Sequence, residues 1–291
     1  MSLRLLVTGG EGQLGREFAD LAVDAVRCGH AELDITDPAS IRAALVRYQP
    51  HAIINAAAYT AVDRAESERE AAFAINATGP GLLAQAAAAA GIPLLHVSTD
   101  YVFAGDKPVG EAWCETDACA PRSVYGQSKL AGEQAALAAC PRAFVLRTSW
   151  VFGRYGNNFA KTMLRLAAER DELRVVGDQH GCPTHAGDIA ATLVRAAEAL
   201  VAGTLAPGIY HYAGAPACTW HGFATAVIEQ GHARGLLARL PLVHPIATHE
   251  YPVAAPRPAN SVLDCSKLQL ALGIPSADWH NGLNKLLDYL S

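Results

Sequence analysis

The chain has 291 residues and a net charge of −5, with 23 Lys and Arg against 28 Asp and Glu. That balance argues against a surface built for nucleic acid or an anionic membrane, and the length suffices for one large α/β unit with a smaller lobe. The seven cysteines (28, 114, 119, 140, 182, 218 and 265) show no C-x-x-C, so they read as reduced thiols of a cytoplasmic protein.

The first element is Arg4-Leu5-Leu6-Val7-Thr8, an apolar run that reads as a buried parallel strand. Gly9 interrupts it too early for a secretory leader. Gly9, Gly12 and Gly15 then recur every third residue, and helical character begins at Arg16. Glycines at a strand-to-helix junction permit a tight turn and let a pyrophosphate approach backbone N–H groups. The next strand is Ala25-Val26-Arg27-Cys28, and no carboxylate follows it before Glu32. An enzyme selecting NAD usually places an acidic residue there, so Arg27 or His30 facing a 2′-phosphate favours NADPH, with NADH still open. A solvated loop cation is the other reading of Arg27.

Strand-like runs recur at Ala52–Asn55, Leu94–Val97, Ala143–Arg147 and Gly208–His211, with helical stretches among them. One of these, the Ala-rich Leu82 to Ala90, is amphipathic and too short to span a membrane. The alternation predicts a Rossmann-type, doubly wound parallel sheet, whose ligands sit beyond the carboxyl ends of the strands. Ala56 to Thr60, Ser98 to Tyr101 and Thr148 to Trp150 each follow a strand, so chain order puts them at that edge.

Between the last two of these segments lies Ser123 to Leu137, which reads as a helix carrying Tyr125 and Lys129 four residues apart. On one helical face, an ammonium beside a phenol favours phenolate and lowers its pKa, suiting the tyrosine to proton exchange with a carbonyl or alcohol. Beyond residue 150 prolines punctuate the chain, and loops with short helices are expected. The division is therefore 1–150 for a nucleotide-binding domain and 151–291 for a mainly substrate-binding lobe, with some segments returning to the Rossmann core. The eleven histidines show no paired ligand spacing, so no catalytic metal is assigned.

The glycine loop, Asn55-Ala56-Ala57-Ala58, Ser98-Thr99-Asp100 and Tyr125-x-x-x-Lys129 resemble the extended short-chain dehydrogenase/reductase superfamily. Within it, NAAAYTAVD (55–63), STDYVF (98–103), VYGQSKLAGE (124–133), RTSWVF (147–152), GNNFAKTML (156–164), DQHGCPT (178–184) and RPANS (257–261) resemble the dTDP-4-dehydrorhamnose reductase family over nearly the whole chain. The resemblance implies NADPH-dependent reduction of the C4 ketone of dTDP-6-deoxy-L-lyxo-4-hexulose to dTDP-L-rhamnose. Tyr125 would then protonate the alkoxide, Lys129 would lower its pKa and hold the nicotinamide ribose, and Thr99 would hydrogen-bond the C4 oxygen. Gly12, Gln13 and Leu14 would line the pyrophosphate, and Asp34 and Ile35 would flank the adenine. Ala58, Tyr59, Thr60 and Val97 would complete the cofactor site. Asp100, Trp150, Asn158 and Arg257 would contact the sugar nucleotide, and Asn76 would support a proton relay.

Two departures matter. Tyr59 stands where a histidine is common, and Val97 replaces an aromatic of some members. Some members dimerise around magnesium held by carboxylates; Glu17 matches one ligand position, but His185-Ala186-Gly187-Asp188 does not clearly supply another. Magnesium is left unassigned, and a homodimer is expected from the resemblance alone. An epimerase or dehydratase on the same scaffold is the first rival, though Thr99-Asp100-Tyr101 lacks the paired carboxylates of a dehydratase. A non-catalytic, reductase-like regulatory subunit is the second.

Overall fold

Strands that are apolar on both faces must be covered on both, and the computed structural model, which describes residues 3–21 and 23–291, shows how. Six strands, numbered along the chain, form the central sheet: β1 (Arg4–Thr8), β2 (Asp24–Cys28), β3 (Ala52–Asn55), β4 (Leu94–Thr99), β5 (Ala143–Thr148) and β6 (Gly208–His211). They pair in parallel in the order β6-β5-β4-β3-β1-β2. Leu5, Ile54, Leu95 and Phe144 share one core with Ile189, Leu193 and Ala197 of the helix Ala186–Ala202. Leu6, Ile53 and Leu94 share the opposite core with Ile41, Leu83 and Ala136, from the helices Pro38–Tyr48, Gly79–Ala89 and Val124–Ala139. The sheet is thus the middle of three layers.

Its order fixes where a ligand goes. The chain leaves β1 toward β2 on one side and returns past β1 to β3 on the other, so the connections diverge between β1 and β3. At such a switch point the loops part and leave a crevice at the strands' carboxyl ends. Thr8 and Asn55 end these two strands in register, and the Thr8 hydroxyl donates to Asn55 Oδ1 at 2.7 Å, tying the strand ends together beneath the crevice.

The expectation of loops and short helices after residue 150 needs correction. The helices Phe159–Glu169, Trp220–Ala233 and Trp279–Leu290 run 11, 14 and 12 residues and bury Met163, Phe223, Val227, Leu283 and Leu286 in a core of their own. The prolines fall between the helices and in a strand (Leu242–Ile246), so they mark helix ends and not an absence of helix. Residues 151–291 also supply β6 and the helix Ala186–Ala202 to the sheet and its cover. Among the described residues no helix is long and apolar enough to cross a membrane.

Candidate active site

The glycine loop is shaped by contacts that side chains would destroy. Gly9 adopts φ +66°, and a Cβ there would lie 2.7 Å from the Ala57 nitrogen. A Cβ on Gly15 would come within 2.2 Å of the Gly9 carbonyl oxygen. Loop, helix start and β3 exit therefore touch backbone to backbone. Gly12 sits at the N-cap of the helix Gln13–Glu17 with no side chain capping it, so the first-turn N–H groups stay available. Gly12, Gln13 and Leu14 line a cleft of about 690 Å³. A backbone cradle with no room for Cβ atoms fits a dinucleotide pyrophosphate.

The opposite wall is the helix Val124–Ala139, opened by the Ser123 hydroxyl, which accepts from Gly126 N. Tyr125 and Lys129 both line the cleft, with Val97, Thr99 and Asp100 from the end of β4. Lys129 is only 2 % exposed, and its ammonium donates to the Val97 carbonyl at 2.7 Å. The Thr99 hydroxyl donates to Asp100 Oδ1 at 2.8 Å and accepts from Tyr101 N at 3.2 Å, capping the turn Asp100–Val102. Asp100 Oδ2 is buried without a hydrogen-bond partner. That oxygen is shut off from water, and the neighbouring Ser261 hydroxyl favours its charged form.

Burial dominates the electrostatics. It pushes the Tyr125 phenol up to about 12, partly offset by the Thr99 hydroxyl, and raises Asp100 to about 6. It also pulls Lys129 down to about 8, against an upward influence from Glu133. The expectation that Lys129 lowers the Tyr125 pKa is corrected: desolvation of the phenolate outweighs any help from the ammonium. At neutral pH the site presents an intact phenol O–H and a mostly protonated lysine, which is the state of a proton donor.

Asn76 explains how the two walls are joined. It lies in a single π-helical turn, Ala74–Thr78, a local widening often found at functional sites. Its amide accepts from Tyr59 N and donates to the Tyr59 carbonyl and to Ser128 Oγ, which in turn donates to the Tyr125 carbonyl. The exit of β3 is thereby bound to the Tyr125 helix.

The other expected residues divide. Ala58, Thr60, Trp150 and Arg257 line the cleft, whereas Tyr59 does not, its hydroxyl being committed to Glu68 at 2.6 Å. Asp34 accepts from the Thr36 amide and hydroxyl, and Ile35 packs beneath Gly79; both lie in the loop after β2, off the cleft. Arg27 is exposed on β2, its backbone pressed against Gly10 of the glycine loop. Asn158 also leaves the cleft: its Oδ1 caps the helix Phe159–Glu169 and its Nδ2 donates to the Gly153 carbonyl, while neighbouring Asn157 faces in. Arg257 pairs with Asp63 at 2.7 Å and lines both this cleft and an adjoining cavity of about 870 Å³.

Two aromatic residues went unread. Trp220 and Phe159 line both spaces, yet each sits in a helix that buries an apolar face and so resembles core. Both stand first in a helix capped by the preceding side chain, Asn158 or Thr219, and that position was the one available mark. Glu17 is 3 % exposed and paired with the Arg154 guanidinium, while its Oε1 is buried without a hydrogen-bond partner.

A family model described as the RmlD substrate binding domain matches residues 3–291. Over 98% of its length the chain is 48% identical to a dTDP-4-dehydrorhamnose reductase of Aggregatibacter actinomycetemcomitans, covering 99% of that protein. It is 43% identical to one from Sinorhizobium fredii, covering 98% of this chain and 97% of the relative. A crystal structure of dTDP-4-dehydrorhamnose reductase from Bacillus anthracis in complex with NADP superposes with a TM-score of 0.91 at 36% identity, covering 99% of this chain and 100% of the other. With the fold, the glycine cradle and the Thr99–Tyr125–Lys129 wall already in place, these matches over nearly the whole length show that the chain belongs to the dTDP-4-dehydrorhamnose reductase family.

Proposed function

We propose that the protein reduces the C4 ketone of dTDP-4-dehydro-β-L-rhamnose to dTDP-L-rhamnose with NADPH, NADH being a usable alternative. The observation that carries this is the meeting of Tyr125, Lys129 and Thr99 in one cleft with the glycine loop. Residues 1–150 hold the cofactor and residues 151–291 mainly the sugar nucleotide. NADPH, when bound, supplies the hydride for the ketone carbon. Gly9, Gly12 and Gly15 admit its pyrophosphate to the backbone of Gly12, Gln13 and Leu14, and Arg27 stands by for a 2′-phosphate. Lys129, anchored on Val97 O, directs its remaining donors to the nicotinamide ribose.

Negative charge grows on the ketone oxygen as the carbon is reduced. Tyr125 meets that charge with an O–H donor already desolvated, and Thr99 joins it once its single proton turns from Asp100 Oδ1 to the ketone oxygen. Tyr125 transfers its proton to the oxygen, and the phenolate left behind recovers one from solvent. The Asp100 carboxylate, which lines the cleft, accepts from a sugar hydroxyl, Trp150 bounds the sugar, and Arg257 at the neck between the two cavities meets the diphosphate. The nucleotide then extends into the outer cavity. The protein acts in the cytoplasm as a homodimer.

The decisive experiment is NADPH consumption with the 4-keto sugar nucleotide generated in situ and identification of the product. Oxidation of NADPH accompanied by dTDP-L-rhamnose establishes the reading. Tight NADPH binding without turnover defeats it in favour of a non-catalytic role.

A further inference from the structure

Trp150 has φ +47°, a left-handed backbone that a residue with a Cβ adopts only under constraint from its surroundings. Its surroundings supply that constraint. The indole stacks face to face on Trp220, with centroids 3.5 Å apart and planes 5° apart. At Gly181 a Cβ would come within 2.4 Å of Trp150 Cε2 and 2.6 Å of Nε1, so bare backbone lies against the ring there. The Trp150 carbonyl accepts from Thr184 N at 3.1 Å.

Trp220 is itself fixed. It opens the helix Trp220–Ala233, whose first turn is held by the Thr219 hydroxyl accepting from Gly222 N, and Phe159 leans on it at 4.6 Å. Trp220 is only partly buried and faces both cavities, while the lobe core is filled by Phe223, Val227 and their neighbours. One edge of Trp220 packs on that core, while its face is given to the Trp150 ring and the cavities.

We propose that Trp220 is a positioning residue for the reduction: it clamps the Trp150 indole and so sets how the keto sugar seats against Thr99 and Tyr125. This rests on the cleft being the sugar site. A lone indole at a cleft wall rotates about its side-chain torsions; a second ring lying flat on it removes that freedom. Trp220 acts through Trp150 and never on the reacting atoms.

The test is a cycle of Trp220→Ala, Trp150→Ala and the double variant, with Trp220→Phe as the conservative replacement. In each, KM and kcat for the keto sugar nucleotide are measured beside the NADPH dissociation constant. Trp220→Ala should raise KM roughly tenfold or more and lower kcat through misplacement, with NADPH affinity within about twofold of wild type. Trp220→Phe should recover most of the loss. In the Trp150→Ala background, Trp220→Ala should add less than about twofold, because no indole remains to be held.

Full additivity in the double variant, unchanged KM in Trp220→Ala, or lost NADPH binding would each overturn the proposal. Should Trp220→Ala not fold, Trp220→Leu takes its place in the cycle and decides by the same criteria. Absence of turnover in the wild type overturns this proposal and the reductase reading together, whereas wild-type turnover with an insensitive Trp220 overturns this one alone.

Discussion

Arg147 of β5 and Glu133 of the Tyr125 helix form an ion pair closed off from water, with Nη2 2.7 Å from Oε2 and exposures of 2% and 1%. Arg147 Nε adds a second contact at 2.9 Å to Oε1, and the guanidinium also rests on the Phe103 ring and reaches Cys119 Sγ. The pair locks the helix bearing Tyr125 and Lys129 to the strand that leads to Trp150. Removing one partner strands the other charge in the interior. Glu133→Ala should cost about 3–5 kcal/mol of unfolding free energy, whereas Glu133→Leu with Arg147→Met should cost far less than the two single losses combined. Urea denaturation of the three variants measures this. A cost under about 1 kcal/mol for Glu133→Ala would show that water reaches the pair.

Tyr125→Phe should keep NADPH affinity near wild type while lowering kcat by roughly 10²–10⁴-fold, the usual range for a lost general acid. The phenol is held near 12, so the wild-type acid form persists through neutral pH, and no loss of activity from Tyr125 ionisation should appear below about pH 9. Single-turnover rates with saturating cofactor separate chemistry from binding. Near-wild-type kcat in the variant would remove Tyr125 from the proton step.

How much of this was legible depended on whether the signal was local. The four inner strands were readable from apolar runs, because a strand buried on both faces leaves a continuous stretch such as Leu5 to Val7 or Leu94 to Leu95, whereas the edge strands β2 and β6 were read from the alternation of strand-like and helical stretches. Tyr125, Lys129 and Thr99 were readable because helix periodicity and strand order alone bring them to one edge. The Trp150–Trp220 stack was not, since it joins residues 70 positions apart and neither carries a spacing signal. Asn157 and Asn158 could not be separated by sequence either: which of two adjacent amides caps the helix depends on where its first turn begins. The sign of the Tyr125 shift was missed for a related reason, because i,i+4 spacing reports a neighbouring charge and says nothing about desolvation.

Asp100 gives a pH signature. Burial raises its carboxyl to about 6, whereas in the unfolded chain it titrates near 3.9. Between these values the folded state binds more protons than the unfolded one, so stability from this group is full below about pH 4 and is lost as pH rises through about 6. Asp100→Asn removes that dependence. The stability of wild type relative to the variant should fall by roughly 1–3 kcal/mol across the window and level off above about pH 7. Denaturation at a series of pH values checks it; a constant difference would mean that Asp100 ionises as an exposed carboxylate does.

Arg27 should set cofactor preference. It is exposed on β2, where its backbone lies so close to Gly10 that a Cβ there would come within 2.7 Å of the Arg27 carbonyl carbon. The side chain therefore starts beside the loop that cradles the pyrophosphate, on the strand whose end reads the adenosine ribose in folds of this type. Glu32, the next carboxylate along, accepts from Gly29 N at 3.1 Å and is thus engaged with backbone in the following turn. The Glu11 carboxyl also reaches this strand end, where a Cβ on Gly29 would lie 2.7 Å from its Cδ, so the guanidinium has to outweigh it; a guanidinium favours a phosphate over a hydroxyl, because a charge-assisted, bidentate contact is stronger than a neutral one. Arg27→Ala should weaken NADPH by roughly 10- to 100-fold, the loss of a charged hydrogen bond, and change NADH by less than about threefold. Nicotinamide fluorescence titration of both cofactors reads this without any sugar present. Equal losses for NADPH and NADH would assign the 2′-phosphate to some other residue and leave Arg27 a solvated cation.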